Sequence, residues 1–568
     1  MRSCFVAITL ILFGSVAQAQ VADTVYTNGK IYTVNERQPW VEAVAIKDGK
    51  FIGVGSVADV KKLTGRDTEV IDLNGSFVMP GIHDTHVHPT GVYTYEEGGE
   101  LLFPESTPPE EIIKLVKEHA QKHPDLKVIR AQKWAAASFP GGKATKYWLD
   151  PHFPDRAVYL VDETLHNAVA NSAALKLAGI TKDTPDPEFG VIDRDTKTGE
   201  PTGYLSEAAM GLVGKKVKLP DVDANYRGLN RSLAQIRAYG TTSLVDMLAG
   251  PNGLEAYRRL EKEGKLGLRV DAAMILNDYS AEASTLEASE AVLARRSEFD
   301  SPLIDVGIKF IADGTPLSKT ALLVEPYSDD PSTHGQMTIA EKEFKRIEQA
   351  HGDGIQVRLH STGDGTTRKI LDVIEAARAK NPKPELRHSI GHLMLVAKED
   401  IPRFKELNVV AEFSPVLWYP TPLGGLAGRA VGADRYARWM PIKEFVDAGV
   451  TVTFGSDWPA GTPDADPWRG LEAMITRRDP KTNIGEKLGE GIDLETGIRI
   501  LTINGAIAMM HEEKTGSIEE GKLADFIILD QNPFDLEKAG RVDRISDTQV
   551  LKTIFEGKVV YAAMTKNK

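Results

Sequence analysis

The feature that most constrains the fold is a regular alternation of short apolar segments and amphipathic stretches through the middle of the chain. Eight segments have the composition of buried strands, and stretches of helical periodicity such as TTRKILDVIEAARAK lie between them. Strands that alternate with helices in this number predict an α/β protein with a (β/α)8 barrel of the TIM type. The eight segments are FVMPGIHDTHVH, TTSLVDM, LRVDAAMIL, DVGIKFIADG, IQVRLHSTGD, LRHSIGHLMLV, VVAEFSPVL and VTVTFGSDWP.

Both ends of the chain have hairpin character instead. Asn28-Gly29 and Asp48-Gly49 separate apolar runs near the start, and Glu556-Gly557 does so near the end. We therefore predict one small β-sandwich domain built from residues 20–80 and 511–568, with the barrel, residues 81–510, inserted between its two parts.

The interval at about 95–220, between the first two barrel strands, is too long for a loop. It carries strand-like segments of its own, KVIRAQKWAA and AVYLVDE, and the helix-like NSAALKLAGI. It leaves the barrel at the carboxyl end of a strand, where the active sites of such barrels lie. We predict an inserted subdomain that acts as a lid or as a wall of the substrate pocket.

Residues 1–19 have the pattern of a secretory signal peptide: Arg2, an apolar run, and Ala17-Gln18-Ala19 as cleavage site. The run is shorter than the ~20 residues of a membrane span, so we expect a secreted or periplasmic protein without a stable membrane anchor after cleavage. Cys4 is the only cysteine. The mature chain therefore has no disulfide, no thiolate nucleophile and no cysteine ligand for a metal.

The formal net charge is −13, which disfavours nucleic acid as a partner because phosphate backbones require a basic surface. A small-molecule substrate is the expected partner. The sequence leaves association into a homo-oligomer open.

Histidines are few, 13 in 568 residues, yet His86 and His88 lie two apart on one face of the first predicted barrel strand. His360, the pair His388 and His392, and Asp457 lie at or near the carboxyl ends of later strands. In a parallel barrel those ends converge on one mouth. The sequence therefore predicts a metal site with nitrogen and oxygen ligands.

Lys309 shares the strand face of Ile311 and Asp313, which faces the barrel interior. A buried amine loses its charge readily, and the neutral form can add carbon dioxide to become a carbamate. A salt bridge to Asp313 is the alternative.

The order H-x-H, Lys, His, His and Asp along eight strands resembles the amidohydrolase superfamily. Within it, the chain is similar to the amidohydrolase family 3 group that includes N-substituted formamide deformylases. The resemblance covers nearly the whole mature chain. It rests on PGIHDTHVHP, NSAALKLAGI, GEPTGYLSEAA, KFIADGTPLSKTALL, HSTGD, TINGAIAMM and GSIEEGKLADFIILDQNPF.

This resemblance implies two divalent cations per chain, zinc by ligand type, although one ion is an alternative. Carboxylated Lys309 would bridge the ions, and Asp457 would also act as the general base. His392 is preferred over His388 because it holds the family's position in the sixth-strand motif. The implied metal ligands are His86, His88, Lys309, His360, His392 and Asp457, and the candidate substrate-binding residues are His166, Trp134, Trp418, Trp458 and Asp313.

The implied function is hydrolysis of a non-peptide C–N bond, in an amide, formamide or cyclic amide, by a metal-activated hydroxide. Gly391 departs from the family pattern, which has Glu before this histidine, and Gly365 stands where Arg is usual. These departures put the substrate preference in doubt. A mononuclear deaminase, an esterase or lactonase on the same fold, and a non-catalytic binding or regulatory protein are the alternatives.

Overall fold

The computed structural model describes residues 21–564 except residues 92, 98, 105–106, 218, 278–285, 418–421 and 483–486. The predicted signal peptide, residues 1–19, lies outside the described residues. No helix in the described part of the chain combines the length and the apolarity that crossing a membrane requires.

Seven short strands precede the barrel, and tight turns join several of them. Asn28 and Asp48 have φ values of 57° and 49°, in the left-handed region that Asn and Asp tolerate better than most residues. The predicted turn chemistry is therefore the observed one. The strands are Thr24–Thr27 (β1), Lys30–Tyr32 (β2), Trp40–Val41 (β3), Ala43–Lys47 (β4), Lys50–Gly55 (β5), Glu69–Asp72 (β6) and Phe77–Pro80 (β7).

The first barrel strand, Ile82–Val87 (β8), leads into the inserted segment, which folds around a mixed six-stranded sheet of its own in the order β13-β14-β12-β11-β10-β9. Its strands are Leu101–Leu102 (β9), Val128–Trp134 (β10), Ala157–Asp162 (β11), Asn167–Ala170 (β12), Gly190–Arg194 (β13) and Pro201–Glu207 (β14).

The other seven barrel strands follow the insert and pair in parallel, in the order β21-β20-β19-β18-β17-β16-β15-β8. Closure runs through backbone hydrogen bonds between the first strand and the segment after the last. The amide of Asp457 donates to His86 O at 2.7 Å, and that of His88 donates to Trp458 O at 2.8 Å. The strands are Thr241–Asp246 (β15), Arg269–Ile275 (β16), Ile304–Ile311 (β17), Val357–Ser361 (β18), Ser389–His392 (β19), Val410–Phe413 (β20) and Val452–Phe454 (β21).

Helices separate the barrel strands and cover the outside of the barrel. Glu341–Gly352 and Asp364–Lys380, which flank β18, bury Ile347, Ile370 and Ile374 in the main hydrophobic core. The α-helices, in chain order, are Val57–Val60, Tyr93–Glu97, Pro109–Lys122, Lys146–Leu149, Ser172–Ala178, Met210–Gly214, Val222–Ala238, Gly250–Lys262, Leu286–Leu293, Glu341–Gly352, Asp364–Lys380, Ile401–Glu406, Pro422–Val431, Ala433–Tyr436, Ile442–Asp447, Pro467–Thr476, Leu494–Leu501, Ile503–Ala508 and Pro533–Lys538.

Three strands near the end of the chain, Phe526–Leu529 (β22), Val550–Phe555 (β23) and Lys558–Ala562 (β24), return to the strands at its start. They complete a six-stranded sheet in the order β24-β23-β22-β7-β2-β3, which faces a four-stranded sheet in the order β5-β4-β1-β6. Tyr26 of β1 and Phe526 of β22 meet edge to face between the two sheets, with ring centroids 5.1 Å apart.

The predicted fold class is confirmed. Each of the eight predicted segments contains one strand of the parallel barrel, an inserted subdomain follows the first of them, and sheets from both chain ends form the small β unit.

Arg269, at the start of β16, joins the barrel to the small β unit. Its guanidinium donates to Asp525 at 2.5 Å and to Glu556 at 2.7 Å, and its side chain and that of Asp525 are 3% and 1% exposed. We expect Arg269→Met to lower the free energy of unfolding by about 3–5 kcal/mol, because it leaves the Asp525 charge buried and uncompensated. Urea unfolding measures this.

Lys30→Met is the matched control. The Lys30–Asp535 pair has a similar N···O distance, 2.9 Å, but its side chains are 55% and 50% exposed. Its loss is expected to cost less than about 1 kcal/mol. Equal costs for the two variants would show that Arg269 does not anchor the unit.

Candidate metal centre

Three side chains from separate barrel strands converge at the carboxyl end of the barrel. His86 comes from β8, His392 ends β19, and Asp457 follows β21. Each offers one ligand atom, and these atoms lie within 4.8 Å of one another. All three side chains are buried. The parallel barrel thus brings together residues that lie up to 371 positions apart in the chain.

The contacts within this group centre on the Asp457 carboxylate. Oδ1 lies 3.0 Å from Nε2 of His88 and 3.5 Å from Nε2 of His86, and Oδ2 lies 3.6 Å from Nδ1 of His392. His392 and Asp457 have φ values of 76° and 56°, in the left-handed region that residues with side chains rarely occupy. Such backbone persists where surrounding structure enforces it, which is frequent at functional sites.

The histidines of the group are held in the form that binds metals. Burial, helped by neighbouring positive charges, lowers the pKa of His86, and that of His360 beside the group, well below the ordinary value. Burial also lowers the pKa of His392 to about 3. Neutral imidazoles are metal ligands, whereas protonated ones are not.

The group fits a divalent transition metal on the chemistry of its donors. Two neutral imidazoles and one carboxylate offer nitrogen and oxygen atoms, which zinc accepts in proteins. Among the residues that the structure describes, none forms a hydrogen bond with the buried Nδ1 of His88, and the other ring nitrogen of His88 faces Asp457. His88 is thus a fourth ligand candidate at the edge of the group.

His360 packs against the group without belonging to the three-ligand set. Its ring centroid lies 4.4 Å from that of His392, but its Nε2 lies 3.3 Å from Gly314 O and 3.6 Å from Oδ1 of Asp313. The Asp313 carboxylate accepts the backbone amides of Thr362 and Gly363. Asp313 therefore stabilises the turn after β18 and contacts His360.

Lys309 lies inside the barrel and is 2% exposed. Its amine interacts electrostatically with the carboxylates of Glu412 and Asp457. Burial lowers the pKa of its amine to about 8, although the two carboxylates oppose that shift. Among the described residues, no ion pair within 4.0 Å joins Lys309 to Asp313, the partner that the sequence offered as the alternative.

His166, from the inserted subdomain, reaches the same mouth. Its ring centroid lies 4.9 Å from that of His360, and its Nδ1 lies 3.0 Å from Oε2 of the buried Glu207. Burial lowers the pKa of His166, but the Glu207 carboxylate outweighs burial, and the net shift is upward. The insert thus adds a histidine that holds its proton more firmly than His86, His360 and His392 do.

Two cavities open beside the group. The smaller is lined by His166, His360, His392 and Asp457, and His88 lines the larger. Arg130 and Leu165 of the insert line the larger cavity. The insert therefore supplies wall to both cavities, and its motion as a lid stays a prediction.

The tryptophans have other positions. Trp134 is fully buried in the hydrophobic core of the insert and donates from Nε1 to Leu160 O at 3.0 Å. Trp458 is 1% exposed and donates to Pro463 O at 3.1 Å. Neither residue lines either of the two cavities, and both pack in hydrophobic clusters instead. Trp418 lies outside the described residues.

Two carboxylates near the group were missed by the sequence analysis. Glu412 lies in β20, with Oε1 2.7 Å from Nδ1 of His86, and Glu207 supports His166. A charge inside the apolar segment VVAEF was a usable signal for Glu412. Glu207 lies in GEPTGYLSEAA, one of the segments on which the resemblance rests, but nothing in that segment identifies His166 as its partner.

Comparison with known proteins agrees with this geometry. Residues 69–561 match the model of a family described as the amidohydrolase family. The chain is 30% identical to the putative amidohydrolase YtcJ of Bacillus subtilis strain 168, over 94% of this chain and 99% of YtcJ.

A second relative is the N-substituted formamide deformylase of Arthrobacter pascens. It is 28% identical over 95% of this chain and 99% of its own. Among solved structures, a metal-dependent hydrolase of Pyrococcus horikoshii OT3 superposes with a TM-score of 0.69 at 25% identity, over 91% of this chain and 99% of that one.

His388 and His392 differ in position although they share a strand segment. His388 lies outside the group: its Nε2 is 2.9 Å from Nδ1 of His351, and its Nδ1 accepts the amide of Val357 at 3.1 Å. We expect His392→Asn to bind less metal than the wild-type protein. We expect His388→Asn to keep its metal while its free energy of unfolding falls by about 1–3 kcal/mol. Elemental analysis of dialysed protein measures the metal. Loss of metal from both variants would contradict this arrangement.

Proposed function

The chain belongs to the amidohydrolase family, and we propose that it hydrolyses a non-peptide C–N bond, in an amide, formamide or cyclic amide, with bound divalent metal. The observation that carries the proposal is the buried group of His86, His392 and Asp457, whose ligand atoms lie within 4.8 Å of one another at the barrel mouth. Its neutral imidazoles and single carboxylate suit zinc.

The chain's residues divide into two ligand sets under this proposal. His86, His88 and Asp457 would hold the more buried ion, and His360 and His392 would hold a second. When bound, such ions polarise a carbonyl oxygen and lower the pKa of a water molecule. Lys309 would bridge them after its neutral amine adds carbon dioxide and releases a proton, a step that burial of the amine favours.

Asp457 and His166 carry the proton chemistry. The Asp457 carboxylate lies at the centre of the group, where it can take a proton from the attacking water and pass it to the leaving nitrogen. Glu207 holds Nδ1 of His166, and His166 lines the smaller cavity, where its ring would contact substrate. A hydrogen bond from His166 to the substrate's carbonyl oxygen would stabilise developing negative charge.

The cavities support a substrate with unequal sides. The smaller cavity lies against the reacting group and admits a compact acyl portion, whereas the larger one continues past His88 and admits a longer substituent. The similarity to a deformylase of N-substituted formamides supports the same division.

A mononuclear deaminase is the second candidate. The three residues whose ligand atoms converge suffice for one ion, and neither His360 nor Lys309 belongs to that set. In that case Lys309 would remain an ammonium group that interacts electrostatically with Glu412.

The first test is activity on a panel of N-formyl and N-acyl amines, with adenine-type amines as deaminase substrates. We expect chelation to abolish hydrolysis, zinc or another divalent metal to restore it, and Asp457→Asn to lower kcat by about 10²- to 10⁴-fold or more, because the base is gone. His388→Asn, outside the group, should retain activity. Full turnover by the chelated protein would refute the proposal. Release of ammonia from the adenine-type amines, with no hydrolysis of the N-formyl and N-acyl amines, would favour the second candidate.

Lys309→Met tests the number of ions. Under the binuclear proposal the wild-type protein holds two metals per chain and the variant holds one, because the bridge is lost. Elemental analysis gives the count, and ¹³C NMR of protein equilibrated with ¹³C-bicarbonate reports the carbamate carbon. One metal in both proteins, without a carbamate signal, would establish the mononuclear alternative.

A further inference from the structure

We propose that Glu412 is a positioning residue that fixes the tautomer and the orientation of His86, and that Gly391 and Gly455 provide the space in which it does so. This inference rests on the proposed function, because it concerns how tightly the chain holds its metal. It adds a residue that acts through His86.

The contact itself is short and buried. Oε1 of Glu412 lies 2.7 Å from Nδ1 of His86, and each side chain is 1% exposed. A neutral imidazole carries one proton, so a proton held on Nδ1 by the carboxylate leaves the lone pair on Nε2. Nε2 is the atom that faces the Asp457 carboxylate, at 3.5 Å. Glu412 thereby selects the nitrogen that His86 presents to a metal.

Two glycines make room for this pair. Gly391 is the register partner of Glu412 across β19 and β20. A Cβ added at Gly391 would lie 3.0 and 3.1 Å from the two oxygens of Glu412. A Cβ added at Gly455 would lie 2.4 Å from Cβ of His86 and 3.1 Å from Oε1 of Glu412. Any side chain at either position would displace the imidazole, the carboxylate or both.

A purely electrostatic role for Glu412 is the competing explanation, since Lys309 and Glu412 influence each other's charge. Among the residues that the structure describes, no ion pair within 4.0 Å joins those two side chains, whereas the contact of Glu412 with His86 is at hydrogen-bond distance. The geometry therefore favours positioning of the imidazole over neutralisation of the lysine.

The test compares metal affinity in four proteins by competition with a chromophoric zinc chelator: wild type, Glu412→Gln, Glu412→Asp and Glu343→Gln. We expect Glu412→Gln and Glu412→Asp to bind zinc about 10- to 100-fold more weakly, the usual effect of removing a partner that orients a ligand histidine. Glu412→Asp keeps the charge but shortens the reach, so near-normal affinity in it with a loss in Glu412→Gln would favour the electrostatic role and overturn the proposal.

Glu343→Gln is the matched control. Glu343 is also 1% exposed, but its carboxylate caps the helix Glu341–Gly352 through the amide of Ala340. Zinc affinity should be unchanged in this variant. The absorption bands of the cobalt-substituted proteins give a second readout, which should change in Glu412→Gln and stay as in wild type in Glu343→Gln.

Gly391→Ala tests the same contact by placing a methyl group against the Glu412 carboxylate. It should weaken zinc binding in the wild-type background and have little further effect in the Glu412→Gln background, where positioning is already lost. If Glu412→Gln does not fold by circular dichroism, Gly391→Ala alone decides, and normal affinity in it overturns the proposal. Absence of bound metal in the wild-type protein would refute the proposed function. Equal zinc affinity in the wild type and the variants would refute only the positioning role of Glu412.

Discussion

The closure of the barrel is the constraint on which the rest of the structure depends. Two backbone hydrogen bonds, from Asp457 to His86 and from His88 to Trp458, tie the first barrel strand to the segment after the last. The residues that make these bonds include three of the candidate ligands. Barrel closure and assembly of the ligand group are therefore one event, and a chain that failed to close could not form the group.

Polar groups inside the barrel are retained at a cost in stability. Lys309, Glu412 and His86 are almost wholly buried. Burial lowers the pKa of Lys309 and that of His86, and it raises the pKa of Glu412 although the charge of Lys309 opposes that rise. An apolar filling of the same volume would be expected to be at least as stable. What the polar filling provides is a set of neutral imidazoles held at fixed distances from one carboxylate, which is what metal binding requires.

The two additions to the barrel have separate tasks. The small β unit, built from both chain ends, is anchored through Arg269, the first residue of β16. It therefore contacts the amino ends of the barrel strands, whereas the ligand group lies at their carboxyl ends. The insert lies at the opposite end and supplies His166 together with wall of both cavities. Variation in the insert can therefore change the substrate while the barrel keeps the ligands in place.

The sequence by itself determined the fold class and the positions of the ligand candidates. Strand periodicity, turn residues and the rule that parallel strands converge are local or topological, so His86, His88, His392 and Asp457 could be placed at one mouth without coordinates. Tertiary structure decided what depends on side-chain direction across strands. The core of the insert takes up Trp134, and the space over the backbone of Gly391 admits Glu412. No periodicity in a single chain encodes such contacts, because each joins residues from strands whose spacing is set only when the barrel closes.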